Sequence, residues 1–256
     1  MTKKPKFSAW LSSLRSSLII AEKNVRIYYA KPPVLIFGVL FPLFLFLAFA
    51  LGREIPTQVL VPGLVAMTLF FTSSSVGPLI TPWERNARTY ERLLTTPLSL
   101  PSLLLGDVLA GLVFGITISV VPLFLGFIFF RTGIVHPLVL AVAMLLGSLC
   151  FACLGVLLSS PATEAPSQVM MLSALVRFPL IFISGIFIPL GELPVWGRVI
   201  APISPLTYAA DLVKYSLYGR SFYPPPLNFA GLALFSLGFF IIAIKLHKRS
   251  LVKGLL

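Results

Sequence analysis

The chain has 256 residues, 57% of them hydrophobic and only 11% charged, with a mean hydropathy of +0.98. A soluble domain carries about a quarter charged residues, and here the apolar residues cluster in runs too long for a soluble core, so the chain reads as a polytopic membrane protein. The formal charge of +12 does not mark a nucleic-acid binder, because the basic residues gather at the chain ends and in one loop, with no stripe interleaved with aromatics.

The apolar runs are continuous rather than alternating. Backbone groups in lipid must be satisfied internally, so the spans are expected to be helices in a single all-α domain covering 1–256. Residues 1–31 are basic but patterned. Phe7, Trp10, Leu11, Leu14, Leu18, Ala21 and Val25 recur at helical spacing, away from Ser8, Ser12, Arg15, Ser16 and Lys23. This predicts an amphipathic helix in the membrane interface, apolar side toward the acyl chains. It does not have the pattern of a cleavable signal peptide. Lys31-Pro32-Pro33 turns the chain into the bilayer.

Six spans follow, near 33–51, 59–80, 102–130, 137–159, 168–188 and 227–245. Each is close to or above the ~20 residues that cross a hydrocarbon core of about 30 Å. An even number of crossings puts both termini on one side. On that side fall Lys3, Lys4, Lys6, Arg15, Lys23, Arg26, Lys31, Arg85, Arg88, Arg92, Lys245, Lys248, Arg249 and Lys253. The other side holds Arg53, Arg131, Arg198, Lys214 and Arg220. Fourteen basic residues against five predict cytoplasmic termini.

Between the second and third spans lies a short charged island. Thr81-Pro-Trp-Glu84 fits a capping box with Pro82 at the first helical position, and Thr95-Thr96-Pro97 supplies a stop. This predicts a separate cytoplasmic helix over 83–97, with Glu84 and Arg88 paired at i, i+4. Two readings stand side by side: a solvated loop helix anchored by Trp83, or a docking helix for a soluble partner. The segment 189–226 is rich in proline. Two stretches near 193–200 and 206–218 are too short to span and are expected as short external helices or re-entrant turns capping the outer mouth, before the last span and basic tail at 227–256.

Ionisable residues inside spans are the remaining candidates. Arg177 lies mid-way along the fifth span, where a lipid-facing charge costs at least ~2.5–3.5 kcal/mol. It is expected to line a pathway, with Phe178 and Phe182 beside it as an amphiphile surface, or to pair structurally with Asp107. Cys150 and Cys153 form a CxxC inside an apolar run with no further ligands near, which reads as packed small residues rather than a metal or redox site. Glu164, His136 and His247 read as solvated loop or terminal residues.

Trp83-Glu84-Arg85, Thr89-Tyr-Glu91-Arg-Leu-Leu94 and Thr96-Pro97-Leu98 resemble the ER-x-x-G-T-x-E-x-L-x-x-T-P-x motif of ABC-2-type transporter permeases. Pro179-Leu-Ile-Phe-Ile-Ser184-Gly185-Ile-Phe-Ile-Pro189, Leu193-Pro194-x-Trp196 and Pro205-Leu206-Thr207-Tyr208 resemble the fifth span and external region of the same family, especially its drug-, antibiotic- and nodulation-factor-export branch. One departure is Arg88, where the family pattern usually has glycine.

The resemblance implies that 83–97 is a coupling helix, with Trp83, Glu84, Arg85, Arg88, Thr89, Tyr90, Glu91 and Arg92 at a separate ATPase subunit. The N-terminal helix, with Phe7, Trp10, Leu11 and Leu14, would be the connecting helix bordering that ATPase. The chain has no G-x-x-x-x-G-K-[ST] phosphate loop, so ATP and Mg are expected on two copies of the partner. Two permease copies would form the path for a hydrophobic or amphipathic compound across the prokaryotic inner membrane. Export of a lipid-linked glycan is the alternative within the same architecture. An embedded enzyme would need a convergent acid/base or nucleophile constellation, which these spans do not offer. A simple channel would leave the charged island without a role.

Overall fold

The computed structural model describes residues 6–28, 36, 40–50, 56–95, 98–161 and 165–254. The side chains of Phe7, Trp10, Leu11 and Glu91, together with Thr96, Pro97, Glu164 and the start of the first predicted span, lie outside that description. The described residues form helices and connecting turns, with no strand among them. In chain order they are α1 (Lys6–Tyr28), α2 (Phe41–Ala50), α3 (Thr57–Asn86), α4 (Thr89–Leu94), α5 (Leu100–Phe130), α6 (Pro137–Leu158), α7 (Pro166–Ile183), α8 (Val195–Ile200), α9 (Pro205–Tyr218) and α10 (Pro225–Gly254). A 3₁₀ turn, Ala201–Ile203, joins α8 to α9.

Among the described residues, four helices are long and apolar enough to cross a membrane: Thr57–Asn86, Leu100–Phe130, Pro137–Leu158 and the Pro225–Leu251 part of α10. The fifth predicted span is shorter than expected. Its helix stops at Ile183, and Gly185 takes a φ of +80, a left-handed conformation that turns the chain before Pro189. The two short helices expected in 189–226 are present as α8 and α9. α9 is drawn into the bundle, with Leu206, Ala209, Leu212 and Val213 fully buried against its neighbours α3, α6, α7 and α10.

α3 is the central element and touches α2, α4, α5, α6, α7 and α9. Its contacts explain why a helix with three internal prolines, Pro62, Pro78 and Pro82, survives. Its apolar side chains Met67, Leu69 and Phe70 are wholly buried, and Phe70 meets Phe151 of α6 edge-on at 5.0 Å. Further along, small residues bring the backbones together. A Cβ at Gly115 of α5 would fall 2.5 Å from Ser148 Oγ of α6, and one at Gly155 of α6 would fall 2.6 Å from Ser74 O of α3. Ser73 and Ser148 share a hydrogen bond of 2.9 Å across this seam, and Ser148 also donates to Leu112 O of α5 at 2.9 Å. Three helices therefore meet through Gly and Ser, the residues that let membrane helices approach closely. Outward faces of α5 and α10 remain apolar and exposed, as at Phe124, Phe129, Leu234 and Leu237.

Candidate functional site

The charged island is not a separate helix beginning at Thr81. α3 has 30 residues and runs unbroken through Thr81, Pro82 and Glu84 to Asn86. Thr81 is not an N-cap: it is 1% exposed and its hydroxyl lies 3.4 Å from Ser159 Oγ. A helix of 30 residues is about 45 Å long, more than the ~30 Å hydrocarbon core requires, so its last turns project beyond it. Burial of Leu79, Ile80, Pro82 and Glu84 keeps the helix continuous through the local start signal. The break comes later, at Arg88, whose φ is 54. That is a left-handed residue at the very position where the family pattern has glycine. Thr89 Oγ1 then donates to Glu84 O at 3.1 Å, and the six-residue α4 follows.

The side chains of this turn divide into two sets. Asn86, Ala87, Arg88, Thr89 and Arg92 are exposed at the tip, while Glu84, Arg85 and Tyr90 are buried and Trp83 is half-buried. Glu84 does not pair with Arg88; it receives Lys23 of α1. The reason is packing: α1 lies along the bundle, so a cation 61 residues away in sequence reaches Glu84 inside the protein. Arg85 donates from Nη1 to Pro161 O in the loop after α6, and its guanidinium sits 5.2 Å from the Tyr90 ring centroid. The Tyr90 phenol is pushed up to about 12, first by burial and then by the Asp107 carboxylate.

α1 also corrects the expectation. Leu18 and Ile19 are 61% and 59% exposed, but Ala21 of the predicted lipid-facing line is buried against the protein. The helix docks on α5 through a polar seam. Ser13 and Ser102 hydroxyls lie 2.5 Å apart, Ser17 donates to Ser102 O at 2.8 Å, and Asn24 donates to Asp107 at 2.6 Å. Ile20 and Ser17 O press on Gly106, where any Cβ would fall within 2.9 Å of both. Leu14 is half-buried on the same helix. Lys23, Asn24, Glu84, Arg85, Tyr90 and Asp107 thus form one polar junction at which α1, α3, α4, α5 and the end of α6 meet.

Arg177 does not pair with Asp107, which is engaged by Asn24. It is 4% exposed and reaches into α3, donating from Nη1 to Ser75 Oγ at 3.2 Å and from Nη2 to Ser74 O. Phe178 meets Phe41 of α2 edge-on at 5.8 Å, whereas Phe182 is 53% exposed. Neither histidine is simply solvated. His247 is wholly buried, its Nε2 3.0 Å from Val156 O, and His136 stacks on Tyr215 at 4.8 Å. Cys150 and Cys153 are buried free thiols in the core.

Sequence reasoning missed three participants: the Ser73–Ser75 run, Asn24 and Asp211. Asp211, 5% exposed on α9, accepts from Phe222 N at 2.8 Å, Tyr223 N at 2.9 Å and Asn228 Nδ2 at 2.9 Å. A lone carboxylate on an apolar helix just before a proline-rich connection was the available signal.

These features define a helical, multi-pass membrane subunit with a buried polar junction beneath an exposed charged turn. A family profile described as ABC-2 type transporter matches residues 16–218, and the chain belongs to that family as a transporter permease. Among similar proteins is the daunorubicin resistance ABC transporter permease protein DrrB1 of Streptomyces coeruleorubidus, 30% identical over 68% of this chain and 62% of that protein. The inner membrane transport permease YadH of Escherichia coli K12 is 25% identical over 75% of each chain. Nodulation protein J of Rhizobium leguminosarum bv. trifolii is 24% identical over 95% of this chain and 94% of its own.

Proposed function

We propose that this permease exports a hydrophobic or amphipathic compound, that it works as a pair of identical copies, and that ATP and Mg are bound by two separate ATPase subunits docked on the turn after α3. The observation that carries this reading is the division of the turn. Its exposed tip offers Arg88, Thr89 and Arg92 to a partner, while Glu84, Arg85 and Tyr90 root the same turn in α1, in the loop after α6 and in the apolar cluster shared with α5. A push on the tip is therefore delivered to α1, α3 and α5 together. The excess of basic residues on this side supports its being cytoplasmic, with both termini, and the drug-resistance name of the Streptomyces relative supports an amphipathic cargo. The exposed aromatic Phe182 and the neighbouring Phe178 give the cargo a surface without a charge. Glu84, which the motif alone would assign to the ATPase, acts from within by fixing the root.

The test is binding of a candidate ABC ATPase subunit to the permease in nanodiscs. Arg88→Glu with Arg92→Glu lowers the affinity roughly tenfold while leaving insertion and thermal stability unchanged. Undiminished binding by that variant overturns the assignment of the tip.

A further inference from the structure

Pro78 creates a defect in α3. It has no N–H, so the carbonyl four residues back, Ser74 O, loses its helical donor. In a hydrocarbon layer there is no water to replace it. Arg177 carries the complementary defect: a charge in an apolar helix with no carboxylate partner among the described residues. The two defects meet. Nη2 of Arg177 donates to Ser74 O, and Nη1 donates to the adjacent Ser75 Oγ at 3.2 Å. Gly155 of α6 covers the same carbonyl from another side, since any Cβ there would stand 2.6 Å from Ser74 O.

We infer that Arg177 is a positioning residue that holds the pivot of α3 at Pro78, and through it the direction in which the protruding turn points. Pro78 divides α3 into a spanning part and the stretch Leu79–Asn86 that ends at Arg88. The proline removes one of the few backbone bonds that join the two parts across this turn, which weakens the rod at that point; Arg177 supplies a replaceable one from α7. A side-chain donor can let go and return without breaking a helix, which a backbone bond cannot. This gives Arg177 work inside the chain and takes it off the cargo surface. It requires only the chain itself and stands whether or not an ATPase binds the turn.

The experiment uses the full chain in nanodiscs, with Cys150→Ala and Cys153→Ala and a single reporter, Thr81→Cys, at a position 1% exposed just past the pivot. Maleimide labelling of the reporter measures how often Leu79–Asn86 swings free. Arg177→Met raises the labelling rate roughly tenfold, as loss of a charge-assisted hydrogen bond does. Adding Pro78→Ala restores an N–H for Ser74 O, so the double variant labels at the parent rate. A rise of the same size in the Pro78→Ala background, or no rise with Arg177→Met, overturns the inference, because a cargo-contacting or generally stabilising arginine has no reason to depend on residue 78. If Arg177→Met does not insert, Arg177→Lys, which keeps the charge and donates from one nitrogen, carries the same comparison.

Discussion

The two ends of the bundle use buried charge in opposite ways. At the Asp211 end a carboxylate gathers donors from residues no more than 17 positions along the chain, and the exposed Arg198 likewise bonds locally, donating to Leu193 O at 2.9 Å and Gly191 O at 2.7 Å in the turn just before its own helix. Charge there folds a local cap. At the Glu84 end the partners are 61, 76 and 83 positions apart, in Lys23–Glu84, Arg85–Pro161 and Asn24–Asp107. Charge there joins elements that would otherwise meet only through apolar packing. A cap made of local bonds can loosen without informing the rest of the molecule, whereas a junction made of distant ones cannot.

The sharpest way to break this comparison is Asp211→Ala, which leaves the backbone N–H groups of Phe222 and Tyr223 without an acceptor and the Asn228 amide with only Tyr223 O at 3.5 Å. It is expected to cost about 3 kcal/mol or more, and hydrogen exchange should rise in 219–228 while α1 and α3 stay protected. Exchange spreading to Glu84 would show that the cap is not local. Lys23→Met should cost somewhat less, about 2–3 kcal/mol, because it strands a buried carboxylate whose lost partner was itself partly solvated. Here the expectation is reversed: thermal unfolding shifts, and exchange rises in α1, α3 and α5 at once.

A smaller effect of opposite sign is expected from Arg88→Gly. Relief of the left-handed conformation raises thermal stability by about 1 kcal/mol, while removal of the exposed cation weakens ATPase binding; a fall in stability would mean that the Arg88 side chain supports the turn. The smallest effect is in pH. Because the Tyr90 phenol stands above the ordinary value of 10.0, at about 12, its contribution to stability is complete below pH 10 and declines as pH rises toward 12. Phenolate absorbance that develops at the ordinary value would remove Tyr90 from the buried junction.

Much of this fold is legible in the sequence because the bilayer imposes long, simple signals. The starts of α5 and α6 and the pair α8 and α9 follow from apolar run length and proline punctuation. What misleads is a local pattern inside a longer helix. Thr81-Pro-Trp-Glu84 has every feature of a capping box, yet Glu84 finds a cation from α1 and the helix continues. Arg177 is conspicuous as a charge in an apolar run, but one of its acceptors is a main-chain oxygen, invisible as a residue type, and the other is a serine hydroxyl on a distant helix. Pro78 was the readable sign, since a proline in a helix names the carbonyl that it frees. His247 reads as solvated because nothing in the neighbouring basic residues reveals that α10 packs back onto Val156 of α6.

The stretch of α3 beyond Pro78 has a mechanical consequence. From Leu79 to Asn86 it spans eight residues, about 12 Å at the ordinary rise. A bend of roughly 10° at the pivot therefore displaces Arg88 by about 2 Å, comparable to the shifts that subunit interfaces use to switch state. The same bend at Ser74 itself is nearly motionless, so Gly155 can stay in backbone contact throughout. The molecule thus has a short lever with a fixed fulcrum and a charged tip, and the travel of that tip is set by how many residues separate the proline from the turn. Inserting one helical turn between Arg85 and Asn86 would lengthen the throw by nearly half, at the cost of carrying Tyr90 away from Arg85.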